Sequence, residues 1–256
     1  MTEIAVGIDV GGTGIKGALV DVTAGQFIGE RVRFDTPEGG EPEDIVRVVR
    51  EVLAELGAPA DAPVGICFPS AIRHGVTLLA ANISPRWIGF NAEEFFEKEL
   101  NHPITFVNAA DAAGFGEVTY GAARGQQGLV IMTTLGTGIG GALMYNGVLI
   151  PNAELGHLEL HGHDAEKKAS AIARQKQGIS FKKWARKRLQ PFYSHLEMLF
   201  SPELFIVGGG VSKYADEFLP FLTLRTPIVP ATLLNQAGIL GAARLAYNEN
   251  HSSTSI

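Results

Sequence analysis

The sequence predicts a two-lobed α/β protein with duplicated lobes, and three observations carry that prediction. First, the chain opens with an apolar strand, a tight glycine turn and a second apolar strand, Gly7-Ile-Asp-Val-Gly-Gly-Thr-Gly-Ile-Lys-Gly-Ala-Leu-Val-Asp21. Second, the centre of that stretch, Gly12-Thr-Gly-Ile-Lys-Gly-Ala-Leu19, returns as Gly136-Thr-Gly-Ile-Gly-Gly-Ala-Leu143, with Lys16 against Gly140 as the difference. An apolar strand precedes each copy (Ile4 to Ile8, Leu129 to Met132) and another follows, which suggests duplicated supersecondary units rather than a chance match. Third, strands alternate with helices after an opening meander, the pattern of α/β architecture.

In chain order, residues 4–9, 15–22 and 26–34 read as three meander strands, with turns at the glycine loop and at Ala24-Gly25. Pro37 to Pro42 is a loop. Glu43 to Leu56 is an amphipathic helix, apolar at Ile45, Val48, Val49, Val52, Leu53 and Leu56, and Gly57 stops it. Val64 to Pro69 is a buried strand that runs into a loop at Ser70, Gly75 to Leu79 is a short strand, and Asn82 lies on its exit. Residues 92–100 form a helix and 104–107 a strand, after which Asn108 caps a helix over about 109–122. Residues 128–134 open the second lobe. Residues 166–199 read as helical, with Pro191 as a break or kink. Leu204 to Val207 is a buried strand leading into Gly208-Gly-Gly-Val-Ser212, and 237–247 is a closing helix. The expected lobes are 1–107, joined by the closing helix, and 108–236. The polar tail 248–256 is expected to be disordered.

Composition narrows the function. The chain has 256 residues, 46% hydrophobic and 19% charged, as in an ordinary soluble globular protein. Its net charge of −6 gives no general affinity for nucleic acid or anionic membrane. The single cysteine, Cys67, excludes an intramolecular disulfide and a cysteine-rich zinc site, and its apolar strand makes it a small core residue. The first residues lack the basic and apolar regions of a signal peptide, and no apolar run reaches the ~18 residues of a membrane helix. The expected setting is cytoplasmic.

The glycine turns carry the chemistry. Without Cβ atoms they admit a ligand close to the backbone, where converging N–H groups bind phosphate oxygens. The candidate phosphate or nucleotide contacts are Asp9, Gly11, Gly12, Thr13, Gly14 and Lys16 at the first turn. Thr134, Gly136, Thr137 and Gly138 are those of the second, and Gly208, Gly209 and Gly210 form a third turn. Asp9, at a strand end, is placed to hold a hydrated Mg²⁺ beside phosphates. In the run Pro151 to Leu160, Glu154 and His157 stand three apart, a pairing suited to sugar hydroxyls that both donate and accept. The alternatives are a surface turn with a satisfied histidine and a zinc site at His157, His161 and His163, although no fourth zinc ligand is apparent. Residues 167–188 carry nine lysines and arginines, among them Lys167, Lys168, Arg174, Lys187 and Arg188. They form either a solvated helix face or a groove for a polyanion, with Phe181 and Trp184 fixing the helix.

Taken together, Gly7 to Gly17, Leu135-Gly-Thr-Gly-Ile-Gly140, Pro151-Asn-Ala-Glu-Leu-Gly-His-Leu-Glu159 and Ser201 to Ser212 resemble the ROK (repressor, ORF, kinase) sugar kinases of the actin-like ATPase superfamily. The resemblance covers about residues 4–246 and points to the polyphosphate glucokinase and glucomannokinase branch. It implies an actin-like (ribonuclease H-like) fold with a cleft between lobes. It also implies transfer of a phosphoryl group from polyphosphate or ATP to the 6-hydroxyl of glucose, or of mannose, with Mg²⁺. By the same resemblance Asn108, Glu154, His157 and Glu166 hold the sugar, with Asn82 and Ser70 as further candidates, and a homodimer is suggested. The cysteine motif of zinc-binding relatives and the DNA-binding helices of ROK repressors are absent. No structural zinc and no nucleic-acid partner are therefore expected.

Two departures from the family pattern stand out. The family places Asn-Asp where this chain has Asn108-Ala109, and that Asp is the general base; Ala109 has no proton acceptor. Asp111 lies roughly 200° away around the helix and suits a capping position. The reading is a kinase scaffold disabled at Ala109, and with the other motifs intact the pattern favours an engineered base knockout. The alternative is a natural pseudokinase that binds sugar or polyphosphate. The second departure is Ser70, where the family commonly has glycine after the proline; it touches substrate choice.

Overall fold

The computed structural model describes residues 3–80 and 83–252. The chain folds into two compact units, divided between Gly116 and Glu117 and again between Asn235 and Gln236. No helix among the described residues is long and apolar enough to cross a membrane.

The first unit opens with the expected meander: β1 (Ile4–Val10), β2 (Ile15–Asp21) and β3 (Gln26–Phe34), all antiparallel. Helix α1 (Pro42–Glu55) follows, with Pro42 at its start and Glu43 and Asp44 in its first turn, where carboxylates suit the helix dipole. It ends as the sequence implies. Gly57 takes φ +59°, and the amides of Ala58 and Gly57 close back on Leu53 and Ala54 in a Schellman motif. Strand β4 (Val64–Phe68) runs parallel to β1. The expected strand over 75–79 is instead a small three-stranded sheet of β5 (Ile72–Arg73), β6 (Val76–Thr77) and β7 (Phe90–Asn91). Asn82 lies outside the described residues. Helix α2 (Ala92–Leu100) leads to β8 (Ile104–Asn108), parallel to β4, and then to α3 (Ala109–Tyr120). The sheet order is β3-β2-β1-β4-β8. Trp87, fully buried, packs with Phe68, Phe90 and Phe96 on one side of this sheet, and its Nε1 donates to the Gly40 carbonyl at 2.7 Å.

The second unit repeats that plan. Strands β9 (Leu129–Leu135), β10 (Ile139–Tyr145) and β11 (Val148–Ile150) form an antiparallel meander. A two-residue hairpin joins β12 (Glu159–Leu160) to β13 (His163–Asp164); His161 and Gly162 both have positive φ, as a type I′ turn requires. The stretch read as helical over 166–199 is divided into α4 (Glu166–Ala169), α5 (Ala171–Lys176), α6 (Phe181–Trp184), a π turn over Ala185–Leu189, and α7 (Gln190–Phe200). Ser170 and Ser180 cap α5 and α6, which explains the breaks. At Pro191 the helix does not break. Proline has no N–H to return to the preceding turn, and the π turn ahead of it absorbs the mismatch. Strand β14 (Leu204–Gly208), helix α8 (Ala215–Phe218) and strand β15 (Ile228–Pro230) complete the unit. The sheet order is β11-β10-β9-β14-β15, with β9, β14 and β15 parallel. Strand for strand, order and direction match the first sheet, so the duplication visible in one hairpin extends to five strands. Trp184, Phe192, Tyr193, Phe205 and Phe218 form the core on this sheet.

The chain then returns to the first unit as α9 (Ala237–Ser252). Here two expectations are corrected. The boundary lies within α3 rather than before it, because the first half of α3 packs against α9 through small residues. A Cβ on Gly116 would lie 2.5 Å from the Ala237 carbonyl, and one on Gly241 would lie 1.8 Å from that of Ala112. The tail expected to be disordered from Asn248 continues α9 to Ser252, and Glu249 accepts a 2.7 Å hydrogen bond from Thr105 Oγ1 on β8.

Candidate active site

The candidate residues fall into two groups, one in each unit. In the first unit they gather at the carboxyl ends of the adjacent parallel strands β1, β4 and β8, the edge where open α/β sheets take ligands. Asp9 stands opposite Lys16 on β2 and opposite Cys67 on β4. Both neighbours reach its carboxylate: Lys16 Nζ lies 3.2 Å from Oδ2, and Cys67 Sγ donates to Oδ1 at 3.6 Å. Burial, followed by the Asp9 charge, pushes the Cys67 thiol well above its ordinary pKa, so it remains a donor. Sequence reasoning saw Cys67 as core filler alone. Its contact with Asp9 follows from strand register, which local sequence does not encode.

The turn from Gly11 to Gly14 is closed by the Gly11 amide on the Gly14 carbonyl at 3.1 Å. Thr36 Oγ1 donates to the Gly11 carbonyl at 2.5 Å and Arg33 to the Thr13 carbonyl at 3.0 Å. These bonds hold the turn from β3 and the segment after it. A Cβ on Gly12 would meet nothing within 4 Å, so the turn is open there. Asn108 caps α3 as the sequence implies: Oδ1 accepts from Ala110 N at 2.8 Å and Asp111 N at 3.2 Å. Its Nδ2 donates to the Ser70 carbonyl at 3.0 Å, tying the loop after β4 to the start of the helix. Ser70 is buried, and its hydroxyl is bonded inside that loop to Leu79 N and Ala71 O. Ala109, half-buried, packs with Cys67, Val107, Ala112 and Ala242. Asp111 is buried at 1% exposure.

In the second unit, the turn between β9 and β10 is one residue shorter. Gly136 N closes on Gly138 O at 3.0 Å, and Thr134 occupies the strand position of Asp9, opposite Gly140 in place of Lys16. Glu166 clamps this turn. Its Oε2 accepts from Ile139 N at 3.0 Å and fills the space that a Cβ on Gly138 or Gly156 would need. Ile172 N bonds the Gly136 carbonyl at 3.1 Å. Glu166 thus joins the turn to the run carrying Glu154 and His157. His157 Nδ1 lies 3.5 Å from Asp164 Oδ2, which also pairs with Lys167 at 3.5 Å. Asp164 was missed by sequence reasoning, because only the β12–β13 hairpin carries it back toward His157. The third turn sits against the second: Gly209, at φ +81°, lies so close to Leu135 that a Cβ would be 2.5 Å from that carbonyl. Gly210 has open space.

Among the described residues no three His, Cys, Asp or Glu side chains gather as a metal cage requires. His157 turns to Asp164, and His163 Nδ1 to the Asp164 carbonyl at 2.9 Å. The donor set fits Mg²⁺ better than zinc, since Mg²⁺ keeps most of its waters and needs one or two carboxylates beside substrate phosphates. Asp9 supplies one.

A meander in each unit, each with a glycine turn after its first strand, and a carboxylate at the end of β1 define a class of phosphoryl-handling α/β proteins. The ROK family description matches residues 5–171, and the chain belongs to the ROK family. Within it, the chain is 44% identical over 238 residues to the polyphosphate glucokinase of Mycobacterium tuberculosis (strain H37Rv), covering 93% of this chain and 89% of that one. The crystal structure of an inorganic polyphosphate/ATP-glucomannokinase from Arthrobacter sp. strain KM matches with a TM-score of 0.91 at 51% identity, over 96% of this chain and 99% of that one. A ROK family glucokinase from Streptomyces griseus, solved with glucose and AMPPNP, shares the actin-like fold at a TM-score of 0.79 and 24% identity, over 94% and 98%. The chain has the α/β actin-like ATPase fold of the ROK sugar kinases.

Proposed function

We propose that this chain is a hexose kinase that takes a phosphoryl group from polyphosphate or ATP to the 6-hydroxyl of glucose, or mannose, with its general-base position occupied by Ala109. The observation that carries the reading is the 51% identity, over nearly the whole of both chains, to an enzyme named polyphosphate/ATP-glucomannokinase. The glycine turns present backbone N–H groups to phosphates, and Lys16, 30% exposed beside Asp9, adds a cation. Asp9 is the residue that would hold Mg²⁺ through water; the ion supplies charge neutralisation. Asn108, Glu154, His157 and Glu166 hold sugar hydroxyls, with Asn82 and Ser70 as further candidates. A homodimer and a cytoplasmic setting enter through the family resemblance, and sedimentation of the purified chain tests the first.

Ala109 opens α3 directly after the Asn108 cap, and its methyl group cannot accept the hydroxyl proton. Loss of a positioned base typically costs about 10²–10⁴-fold in rate. Asp111 does not replace it: its amide belongs to the cap, its side chain is buried, and it lies roughly 200° further round the helix. The test is hexose phosphorylation by the chain and by Ala109→Asp, side by side, with ATP and with polyphosphate. An inert parent and an active variant support a kinase with its base removed. Two inert proteins that still bind glucose in a calorimeter point to a sugar-binding pseudokinase. An active parent overturns the assignment of the base.

A further inference from the structure

Three residues stand in register across one face of the first sheet: Lys16 on β2, Asp9 on β1 and Cys67 on β4. Side chains in register on neighbouring strands share a face and meet. Among the described residues, Lys16 and Cys67 are the side-chain partners of the Asp9 carboxylate, one on each oxygen. They differ in kind. Lys16, on Oδ2, is long, charged and part-exposed. Cys67, on Oδ1, is short, neutral and 1% exposed. The closing helix α9 confines the thiol: a Cβ on Gly238 would lie 3.2 Å from Sγ. Around it, Val107, Ala112 and Ala242 form a small buried cluster, with Ala109 and Leu245 packed against it. Cys67 is the one side chain of that cluster with a hydrogen to donate. Its sulfur is therefore fixed by packing on one side and by the Asp9 carboxylate on the other.

We propose that Cys67 is a positioning residue for Asp9, its buried thiol anchoring Oδ1 so that Oδ2 is left for the divalent cation or its water. The inference rests on the reading of Asp9 as the Mg²⁺ carboxylate and adds the residue that orients it. The terminal torsion of an aspartate is broad and roughly two-fold, so an unanchored carboxylate at a strand end samples many orientations. A donor fixed by packing removes that freedom before any ligand arrives, and less ordering then opposes binding. The choice of a thiol matters. It is a weak, uncharged donor, so it holds one oxygen without neutralising the carboxylate, whose full charge remains for a cation. A buried ammonium in its place would compete with that cation. The asymmetry of the two partners has the same consequence. Lys16 can leave Oδ2 for a phosphate without freeing the carboxylate, because Cys67 still holds Oδ1.

The single cysteine makes the test direct, because the S–H stretch lies in an infrared window clear of other protein bands and belongs to Cys67 alone. The expected band is displaced to low frequency in the parent and returns toward the free-thiol position in Asp9→Ala. A band that Asp9→Ala leaves unmoved refutes the anchoring bond. The second measurement is Mn²⁺ alone, titrated into the full chain and read by electron paramagnetic resonance. It compares the parent with Cys67→Ser, Cys67→Ala, Cys67→Val and Asp9→Ala. Cys67→Ala and Cys67→Val are expected to weaken the Mn²⁺ Kd about tenfold, and Cys67→Ser, which keeps a donor, to stay within about threefold. Glucose affinity in a calorimeter stays at the parent's value in all three Cys67 variants. Equal Mn²⁺ losses in the Ser, Ala and Val variants mean that packing alone is read, and positioning is refuted. A parallel loss of glucose affinity refutes it too, as general damage. The two donor-free variants differ in size, so a misfit of one leaves the other, and the infrared comparison needs neither. Mn²⁺ binding that is absent in the parent, or unchanged in Asp9→Ala, overturns the reading of Asp9 as the cation's carboxylate. Binding lost in Asp9→Ala but intact in both donor-free Cys67 variants overturns only the role of Cys67.

Discussion

Gly7 and Gly12 stand five residues apart in one motif, and the structure separates their roles. Gly7 on β1 pairs in register with Gly65 on β4, and one turn of α9 crosses both. The Ile239 carbonyl sits over Gly7 and the Ala242 carbonyl over Gly65, each 2.0 Å from where a Cβ would be. Real Cβ contacts essentially never fall below 3.0 Å, so Gly7→Ala drives the helix backbone off the sheet by at least an ångström. A gap of that size forfeits a quarter to a half of each dispersion contact along the interface. That interface holds Ile239, Leu240, Ala242 and Ala243, all fully buried. The contact is backbone on backbone, with no flexible side chain to yield, so the cost falls at the upper end of overpacking, about 2–3 kcal/mol. For a chain of this size that is roughly 5–10 °C in Tm. Gly12→Ala meets nothing within 4 Å and leaves stability within about 0.5 kcal/mol. Urea denaturation of the parent and both variants, followed by tryptophan fluorescence, reads the difference. Equal midpoints for Gly7→Ala and Gly12→Ala would refute the packing argument, and a large loss for Gly12→Ala would show that the first turn is not open.

Other outcomes follow from single residues. Glu117, fully buried, accepts from Ala122 N, Thr232 N, Thr232 Oγ1 and Leu233 N, at 2.7–3.2 Å. Glu117→Ala leaves several partly buried donors without their acceptor and destabilises by about 1–3 kcal/mol, measured as a drop in the denaturation midpoint. At Glu93, burial first, then the Glu249 and Glu97 charges, raise the pKa above 4.5, against the Phe106 amide, which lowers it. The native state therefore binds this proton more tightly than the unfolded chain. Its contribution is fully present below pH 4.5 and is lost as pH rises through the raised folded value. Glu93→Gln accordingly gains stability over the parent above that window and none below it, and parallel denaturation curves at pH 4 and 7 decide the matter.

Much of the candidate site was legible in the sequence because its signals are local. A glycine turn between two apolar strands, its second copy, and Asn108 ahead of a helix each depend on a few adjacent residues. So does the stop at Gly57. The resemblance rests on the same contiguous motifs, and it places Glu154, His157 and Glu166 by number. The short edge strands β11 and β15 escaped notice because three residues carry too little periodicity. Helix capping at Ser170 and Ser180 was hidden inside a long run of helix-forming residues.

What the sequence by itself determined, then, is the α/β class, the duplicated hairpin, the glycine turns and the family. Tertiary structure alone decided that Cys67 and Lys16 grip the two oxygens of Asp9 and that Glu166 locks the second turn. It also decided why Gly7 is glycine. The reason is the range of the interaction. Turn and cap preferences are set by backbone sterics over three or four residues. Strand register and the seating of α9 on β1, more than two hundred residues away in the chain, are set by contacts that exist only once the sheet has formed.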